Sequence, residues 1–416
     1  MPTREAYFEV LQSVKVRPCP RRSIIAPNRL EIRNEEFLTA FLNLSLSRPL
    51  LKLREKLQSI TGRENIFFAP SCRAALAQLL ATLPQKDVVL PAYTCPVVKK
   101  AAILAGKNII YVDVAKNSIN STSQEFAKEI KSGRILIPTH LYGIPTDVEA
   151  ICNLAKTKSC LTIEDAAAAF GSRRMGKMLG TFGDAGVISF EQSKRLPAFR
   201  GAAIIINNEK AFDLEKLRTF KLFDLKFQLP MSETAKAVLY NLATVPWIYG
   251  RLTLPLILKK YSKANHPQPQ NLFEAARNSP FYLRGFHPFQ AALILAMLKR
   301  FENIRTRIGQ LVSIYRQILK DSNIRTFIPA DIDESGLLRF PIAFPGRERL
   351  EILSQALLRG LFLEINYDQP LPEKEDWSKF PNARWAAQNV ILLPLYARLC
   401  PEKAAVLAKE VVQLSH

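Results

Sequence analysis

The stretch LTIEDAAAAFGSRRMGKMLGTFGDAGVISFEQSKRLPAFRGAAIIINN, residues 161–208, decides how this chain folds. It holds three short apolar runs separated by segments rich in glycine and polar residues, and such runs predict buried β-strands. The first run ends in Glu164 and Asp165, and Lys194 follows the second run. A strand-end carboxylate and a nearby lysine suit a carbonyl cofactor, because the amine can form an imine and the carboxylate can keep a ring nitrogen protonated.

Strands and helices alternate before this stretch. Including the stretch itself, strands are predicted at residues 65–69, 88–90, 109–114, 135–138, 161–164, 186–190 and 202–206. Helices are predicted at residues 71–83, 97–105, 123–131 and 148–156. This alternation predicts an α/β fold with a parallel sheet covered on both faces. Ligands of such sheets bind at the carboxyl ends of the strands, where Asp165 lies.

The pattern divides the chain into three parts. Residues 1–60 are predicted to form an N-terminal arm, and 61–265 a large cofactor-binding domain with a helical, basic insertion near 229–265. Residues 266–416 are predicted to hold a long helix and a smaller C-terminal α/β domain.

Within the last part, the spacing predicts one continuous helix from Phe289 to about Asp321. Two apolar segments, LLRFPIAF at 337–344 and LFLEINYD at 361–368, are predicted to be strands.

The chain is strongly basic, with a net charge of +21. Such a charge fits an anionic ligand such as a nucleotide diphosphate, a membrane face, nucleic acid, or simply a solvated basic surface. Because the basic residues are spread along the chain and no nucleic-acid-binding motif occurs, nucleic acid is disfavoured. The six cysteines are scattered without metal-ligand spacing, and no secretory signal is recognised. Both features predict a cytoplasmic protein with reduced thiols and no metal site.

Three charged residues are the first candidates for chemistry. Lys194 would attack an aldehyde when neutral, which a cation-lined pocket including Arg195 would favour. The alternative for Lys194 is an ordinary surface lysine. Asp165 would pair with a protonated ring nitrogen, or else cap a helix. Glu164 competes for this role, but the alternation of a strand should point it to the opposite face.

A second group of residues suits a phosphate. The segment Ser71-Cys72-Arg73 begins a predicted helix after a strand, where free N–H groups and Arg73 could bind an anion; a plain helix cap is the simpler interpretation. Ser189 could donate to the same phosphate, or be an ordinary strand serine. His140, at a strand end, is interpreted as structural.

Several segments occur together in one order. They are PSCRAAL (70–76), LPAYTCPVV (90–98), IIYVDV (109–114), IPTHLYGIPTD (137–147), IEDAAAAFGS (163–172), GTFGDAGVISFEQSK (180–194), FQAALILAMLKRFE (289–302) and ILLPLY (391–396). This set resembles the DegT/DnrJ/EryC1/StrS family of pyridoxal-phosphate-dependent sugar aminotransferases. The resemblance implies the aspartate aminotransferase-like fold (fold type I), with a mostly parallel seven-stranded sheet in the large domain and a smaller C-terminal α/β domain.

The resemblance also implies roles for individual residues. Lys194 matches the lysine that forms the Schiff base with pyridoxal 5'-phosphate and carries the proton. Asp165 matches the residue that binds the pyridine nitrogen. Ser189, together with Cys72 and Arg73, matches the phosphate-binding group.

Some positions depart from the family pattern. Cys95 matches a position whose side chain lies over the ring and is often aromatic. Ala168 stands where the family has a polar residue that touches the ring hydroxyl, and Cys72 replaces a glycine. The family segment that reaches into the partner subunit is not recognisable in FYLRGFHPFQ at 281–290, where Arg284 is a candidate substitute.

The activity implied is transfer of an amino group from an amino acid, glutamate by resemblance, to a keto sugar that is nucleotide-linked. The resemblance also implies a homodimer. Two alternatives stay open: a catalytically weakened binding or regulatory protein of the same fold, and an aminotransferase that acts on a membrane-associated acceptor. The second rests on residues 234–263, which are apolar and basic and could lie on an anionic membrane, or else form a dimer interface or pocket insertion.

Overall fold

The computed structural model describes residues 29–44, 48–219, 231–253, 256 and 285–415. The candidate Arg284 and part of the apolar segment 234–263 lie outside the described residues. The strands, in chain order, are β1 Asn65–Ala69, β2 Asp87–Pro91, β3 Asn108–Val112, β4 Ile135–Leu136, β5 Leu161–Asp165, β6 Arg173–Arg174, β7 Lys177–Met178, β8 Ala185–Ser189, β9 Ala202–Ile206, β10 Arg325–Thr326, β11 Phe340–Ala343 and β12 Ile391–Leu393.

Helices precede, connect and follow these strands. They are α1 Asn34–Leu44, α2 Pro49–Thr61, α3 Cys72–Thr82, α4 Pro96–Leu104, α5 Ser123–Glu129, α6 Val148–Thr157, α7 Leu214–Thr219, α8 Met231–Ala243, α9 Pro288–Leu298, α10 Phe301–Leu319, α11 Arg349–Leu358, α12 Pro381–Asn389 and α13 Pro401–Val412. A short turn at Pro246–Ile248 and a π-helical turn at Tyr249–Thr253 follow α8.

The central sheet has seven strands in the order β1-β9-β8-β5-β4-β2-β3. The strand pairs from β3 through β8 are parallel, whereas β9 lies antiparallel between β1 and β8. Strands β10, β11 and β12 form a separate antiparallel sheet in the C-terminal part. The predicted fold class, a mostly parallel seven-stranded sheet with a smaller C-terminal α/β domain, is therefore confirmed.

The predicted long helix is wrong in one respect, because the chain leaves helical geometry at Arg300. The φ and ψ angles of Arg300 are −115° and 15°, and its guanidinium Nε donates to Glu36 Oε1 over 2.7 Å. Helix α9 is buried on nearly all sides, whereas α10 is amphipathic. Two helices with different environments thus replace the single predicted one.

The predicted strand at 361–368 is also wrong. No residue of this segment belongs to a strand, and Glu364 is joined to Leu392 in β12 by an isolated bridge. Because β12 is three residues long, it offers few backbone groups to a further strand.

Polar contacts join the C-terminal part to the central sheet. The Asp113 carboxylate follows β3 and accepts from the backbone N–H groups of Asn382 and Ala383, over 3.1 and 2.7 Å, in the first turn of α12. A carboxylate at that position satisfies free donors and interacts favourably with the helix dipole. The backbone N–H of Leu371 also donates to Ala92 O over 2.7 Å.

Replacement of Gly186 by alanine is expected to destabilise the fold by about 3 kcal/mol, because the sheet has no room for a side chain there. A Cβ on Gly186, in β8, would lie 2.7 Å from the backbone Cα of Gly180. The matched control is Gly309→Ala in α10, where the nearest atom to a new Cβ is 3.9 Å away. Since alanine favours helices, this control should be neutral or stabilising by up to about 1 kcal/mol. Urea denaturation measures both, and equal midpoints would contradict the packing argument.

Candidate active site

A cavity of about 310 Å³ opens at the carboxyl edge of the central sheet. Five strands of the sheet, β1, β2, β4, β5 and β8, lead into its wall. All the residues that the sequence singled out for the cofactor line it: Cys72, Arg73, Cys95, Asp165, Ala168, Ser189 and Lys194. Residues up to 122 positions apart in sequence, from Cys72 to Lys194, therefore meet at one place.

Asp165 ends β5 and is buried, with 4% of its surface exposed. Its Oδ1 accepts a hydrogen bond from the backbone N–H of Ala167 over 3.1 Å. Burial raises the pKa of the Asp165 carboxyl, while the Ala167 N–H, Lys194 and His140 act in the opposite direction. A cation placed against this carboxylate would favour its ionised form.

Glu164 lies on the opposite face of the same strand. Its carboxylate accepts from the backbone N–H groups of Gly180 and Gly183 over 2.8 and 2.7 Å. His140 Nε2 lies 3.0 Å from the same carboxylate, and both side chains are fully buried. Glu164 and His140 therefore hold the loop after β7 in place, and Asp165 alone of the carboxylate pair faces the cavity.

Lys194 lies in the loop between β8 and β9. The base of this loop is closed by the antiparallel pair Ser189 and Ala202, and Phe190 donates its backbone N–H to Gly201 O over 2.9 Å. Within the loop, the backbone N–H of Lys194 donates to Glu191 O over 2.9 Å. The hairpin thus presents a half-buried amine to the cavity.

Arg195 does not belong to the cavity, so the prediction that it lines the lysine pocket is wrong. Its guanidinium is buried and pairs with Glu31 over 2.9 Å, and it also donates to Leu337 O. The cationic side chains that do line the cavity, besides Lys194, are Arg73, Arg200 and Arg339. Glu31 lies 164 positions earlier, which local sequence reasoning could not connect to Arg195.

The start of α3 forms one end of the cavity. Ser71 caps this helix, and its Oγ accepts from the backbone N–H of Ala74 over 3.2 Å. Cys72 and Arg73, in the first turn, line the cavity together with the Ser189 hydroxyl. A helix N-terminus, a guanidinium and hydroxyl groups make up a phosphate-binding environment.

Two thiols, those of Cys72 and Cys95, line the cavity. Burial raises the pKa of the Cys72 thiol, and Asp165 raises it further, whereas Lys194 lowers it. Burial also raises the pKa of Cys95, the residue before α4. Both thiols are therefore neutral near pH 7, and their contribution to the cavity is shape rather than charge.

The C-terminal part supplies a wall that the sequence reasoning missed: Leu338, Arg339, Glu364, Asn366 and Tyr367. Arg339 pairs with Glu364 over 3.1 Å. The sequence did contain a signal for this wall. Glu364 and Asn366 alternate with apolar residues, which predicts that they share one side of an extended segment.

Aromatic side chains support this wall. The ring of Tyr367 stacks on Tyr142, with centroids 5.9 Å apart and an interplanar angle of 16°, and meets Tyr93 edge-on at 5.9 Å. Burial raises the pKa of Tyr367 well above its ordinary value, so the phenol stays neutral. Tyr142 holds a positive φ of 58°, a strained conformation that occurs preferentially at functional sites.

The side chains present fit pyridoxal phosphate. The buried carboxylate of Asp165 needs a cation, which a protonated ring nitrogen supplies. Lys194 provides an amine, and the start of α3 provides donors for a phosphate. Among the described residues, no three His, Cys, Asp or Glu side chains are grouped so as to hold a metal ion. The arrangement is that of an enzyme with a phosphorylated carbonyl cofactor.

The comparison with protein families identifies the chain. A family model, the DegT/DnrJ/EryC1/StrS aminotransferase family, matches residues 48–236 and 285–412, which is well over half of the sequence. The chain belongs to this family. The family depends on pyridoxal phosphate, so the chain is a pyridoxal-phosphate-dependent enzyme of the aminotransferase class, as the resemblance of its motifs implied.

Individual relatives and solved structures are similar to the chain in sequence or in fold. An uncharacterised protein of Methanocaldococcus jannaschii is 23% identical over 402 residues, 91% of this chain and 94% of that protein. The UDP-N-acetyl-3-dehydro-alpha-D-glucosamine 3-aminotransferase of Acidithiobacillus ferrooxidans is 28% identical over 166 residues, 38% of this chain and 45% of that enzyme. The solved structure of Helicobacter pylori PseC, an aminotransferase of pseudaminic acid biosynthesis, has a TM-score of 0.71 at 17% identity, covering 94% of this chain and 99% of that one. At this identity the solved structure shows a shared fold.

Proposed function

We propose that the protein transfers an amino group from an amino acid, glutamate by resemblance, to a keto sugar carried on a nucleotide, and that it does so as a cytoplasmic homodimer. One observation carries the proposal: Asp165, Lys194 and the start of α3 meet in a single cavity at the carboxyl edge of the sheet. Pyridoxal phosphate, when bound, supplies an electron sink for the electrons released at the substrate α-carbon.

In this proposal each side chain has a defined task. Lys194 Nζ would hold the cofactor and, as an amine, would carry the proton taken from the substrate carbon. The Asp165 carboxylate holds the proton of the ring nitrogen in place. Arg73, Ser189 and the N–H groups at the start of α3 bind the phosphate.

The cavity wall that the C-terminal part supplies favours a sugar as the acceptor. Arg339, Glu364 and Asn366 place hydrogen-bond donors and acceptors along one side of the cavity, which suits a polyhydroxylated ring. The net charge of +21 favours an anionic carrier such as a nucleoside diphosphate. The name of the Acidithiobacillus ferrooxidans relative describes a nucleotide-linked keto sugar as the substrate of that enzyme.

A structural reason also weighs against the binding-protein alternative. Ala168 offers no polar group to a cofactor, yet Lys194 and Asp165 both line the cavity and Asp165 is held by a backbone N–H. Both groups are those that amino transfer requires: an amine that can carry the proton and a carboxylate that can keep the ring nitrogen protonated.

The proposed function is tested with two half-reactions. The purified protein, loaded with pyridoxal phosphate, is mixed with glutamate, and formation of 2-oxoglutarate is followed in a coupled assay. Nucleotide-linked 3-keto and 4-keto sugars are then added, and mass spectrometry detects the amino sugar. We expect stoichiometric 2-oxoglutarate in the first step and turnover only with a keto sugar in the second. Cofactor binding without 2-oxoglutarate from any of the common amino acids would refute the proposal in favour of a binding protein.

A further inference from the structure

A patch of exposed apolar side chains follows the central sheet in sequence. Five large apolar residues between 239 and 256 are more than half exposed: Leu239 66%, Leu242 51%, Trp247 57%, Leu252 56% and Leu256 66%. We call these five residues the apolar patch. Single exposed apolar residues are ordinary, but five of them within 18 positions indicate a site of interaction.

The core contacts of α8 prevent the patch from turning inward. Ala237 and Asn241 occupy the opposite face of this helix, and both are buried. The Asn241 side-chain amide donates to Ile32 O over 3.0 Å. Since one face of the helix is fixed on the protein, Leu239 and Leu242 are held outward.

The charged side chains within the segment of the patch are basic. Lys236 is exposed on α8, and the Arg251 guanidinium lies 5.0 Å from the centre of the Trp247 ring, in a cation–π contact. Among the described residues 234–253 and 256, the sequence contains no acidic side chain. The segment of the patch is therefore apolar and basic, and the acidic residue that precedes it on α8, Glu233, is paired within the protein.

The combination of apolar and basic residues favours an anionic membrane over a second copy of the chain as the partner. A second copy of the chain that met the patch across a two-fold axis would bring Lys236 and Arg251 of both copies to the same interface. An anionic lipid surface instead supplies the missing negative charge and accepts the leucines and tryptophan at the boundary between headgroups and acyl chains. Tryptophan and basic residues are also the side chains enriched at that boundary.

We propose that the apolar patch, with Lys236 and Arg251, docks the protein on the surface of an anionic membrane. The contact is peripheral: no helix that the structure describes is both long and apolar enough to cross a bilayer. The docking surface is connected to the active-site cavity, because Glu233 at the start of α8 pairs with the cavity-lining Arg200 over 3.1 Å. The proposal does not depend on the acceptor of the enzyme.

Vesicle sedimentation tests the proposal with the full-length protein. We expect the protein to sediment with vesicles of phosphatidylcholine and phosphatidylglycerol, to remain in solution with phosphatidylcholine alone, and to be released by raising the salt concentration. The L239Q/L242Q variant should lose at least about tenfold in vesicle affinity. The matched control is L358Q/V406Q, which changes two equally exposed apolar residues on α11 and α13 and should bind as the unchanged protein does.

Two further readouts separate the membrane from other partners. Fluorescence emission of Trp247 should shift to shorter wavelength when anionic vesicles are added, and the W247F variant should lack this shift. Light scattering after gel filtration reports the oligomeric state of L239Q/L242Q. Failure of the unchanged protein to bind anionic vesicles, an equal loss in the control, or conversion of L239Q/L242Q to a smaller oligomer would each overturn the proposal, the last in favour of a second copy.

Discussion

Replacing Lys194 by alanine is expected to lower the rate of amino transfer by a factor on the order of 10⁴, because the variant loses both the covalent attachment and the proton carrier. Among the described residues that line the cavity, Lys194 is the single primary amine. The three cavity arginines cannot replace it, since a guanidinium remains charged at neutral pH and is no nucleophile there. The loss is measured as the rate of 2-oxoglutarate formation from glutamate.

The same comparison has a spectroscopic readout. Protein loaded with pyridoxal phosphate should show an absorption band near the edge of the visible range, and Lys194→Ala should lack it. Lys210→Ala, which removes an exposed lysine outside the cavity, is the control and should keep both the band and the rate. A lysine-independent band together with undiminished transfer would rule out Lys194 as the attachment site.

Replacing Asp165 by asparagine is expected to lower activity by a factor on the order of 10² to 10³, since an amide cannot stabilise a protonated ring nitrogen. In contrast to the activity, the stability of the cofactor-free protein should not be lowered by this substitution. Burial raises the pKa of Asp165, so the folded protein favours the protonated form, and this stabilisation is lost as pH rises through the raised pKa. Asparagine resembles the protonated form, so the cofactor-free variant should melt no lower than the unchanged protein at neutral pH.

Glu164→Gln is the matched comparison, because the two carboxylates are neighbours in β5 on opposite faces. The Glu164 carboxylate accepts hydrogen bonds from backbone N–H groups and from His140. In the glutamine variant an NH₂ group would replace one of the two oxygens, and it would lie against these donors without an acceptor. We expect this variant to lose about 2 to 4 kcal/mol of stability while the folded fraction keeps its affinity for the cofactor. Thermal melting and cofactor titration separate the two effects. If Asp165→Asn lowered the melting temperature and Glu164→Gln abolished cofactor binding, the two roles would be the reverse of those assigned.

Much of the large domain could be predicted because its signals are local. Short apolar runs bounded by glycine and polar residues fixed the strands, and Asp165 and Lys194 follow strand ends that a parallel sheet brings to one edge. The departures come from contacts between distant residues. Arg195 turns to Glu31, and Arg300 leaves the helix for Glu36, and neither partner is visible in a local pattern. Tyr367 was missed for the same reason, since its place is set by Tyr93 and Tyr142.

The contact between Asp113 and the start of α12 has a consequence for the catalytic cycle. The carboxylate and the Leu371–Ala92 hydrogen bond fasten the C-terminal part to the sheet at two places. These contacts oppose a movement of the C-terminal part away from the sheet. If the wall keeps its position through the cycle, the amino donor and the acceptor enter the same cavity in turn, and the dimensions of that cavity restrict both substrates.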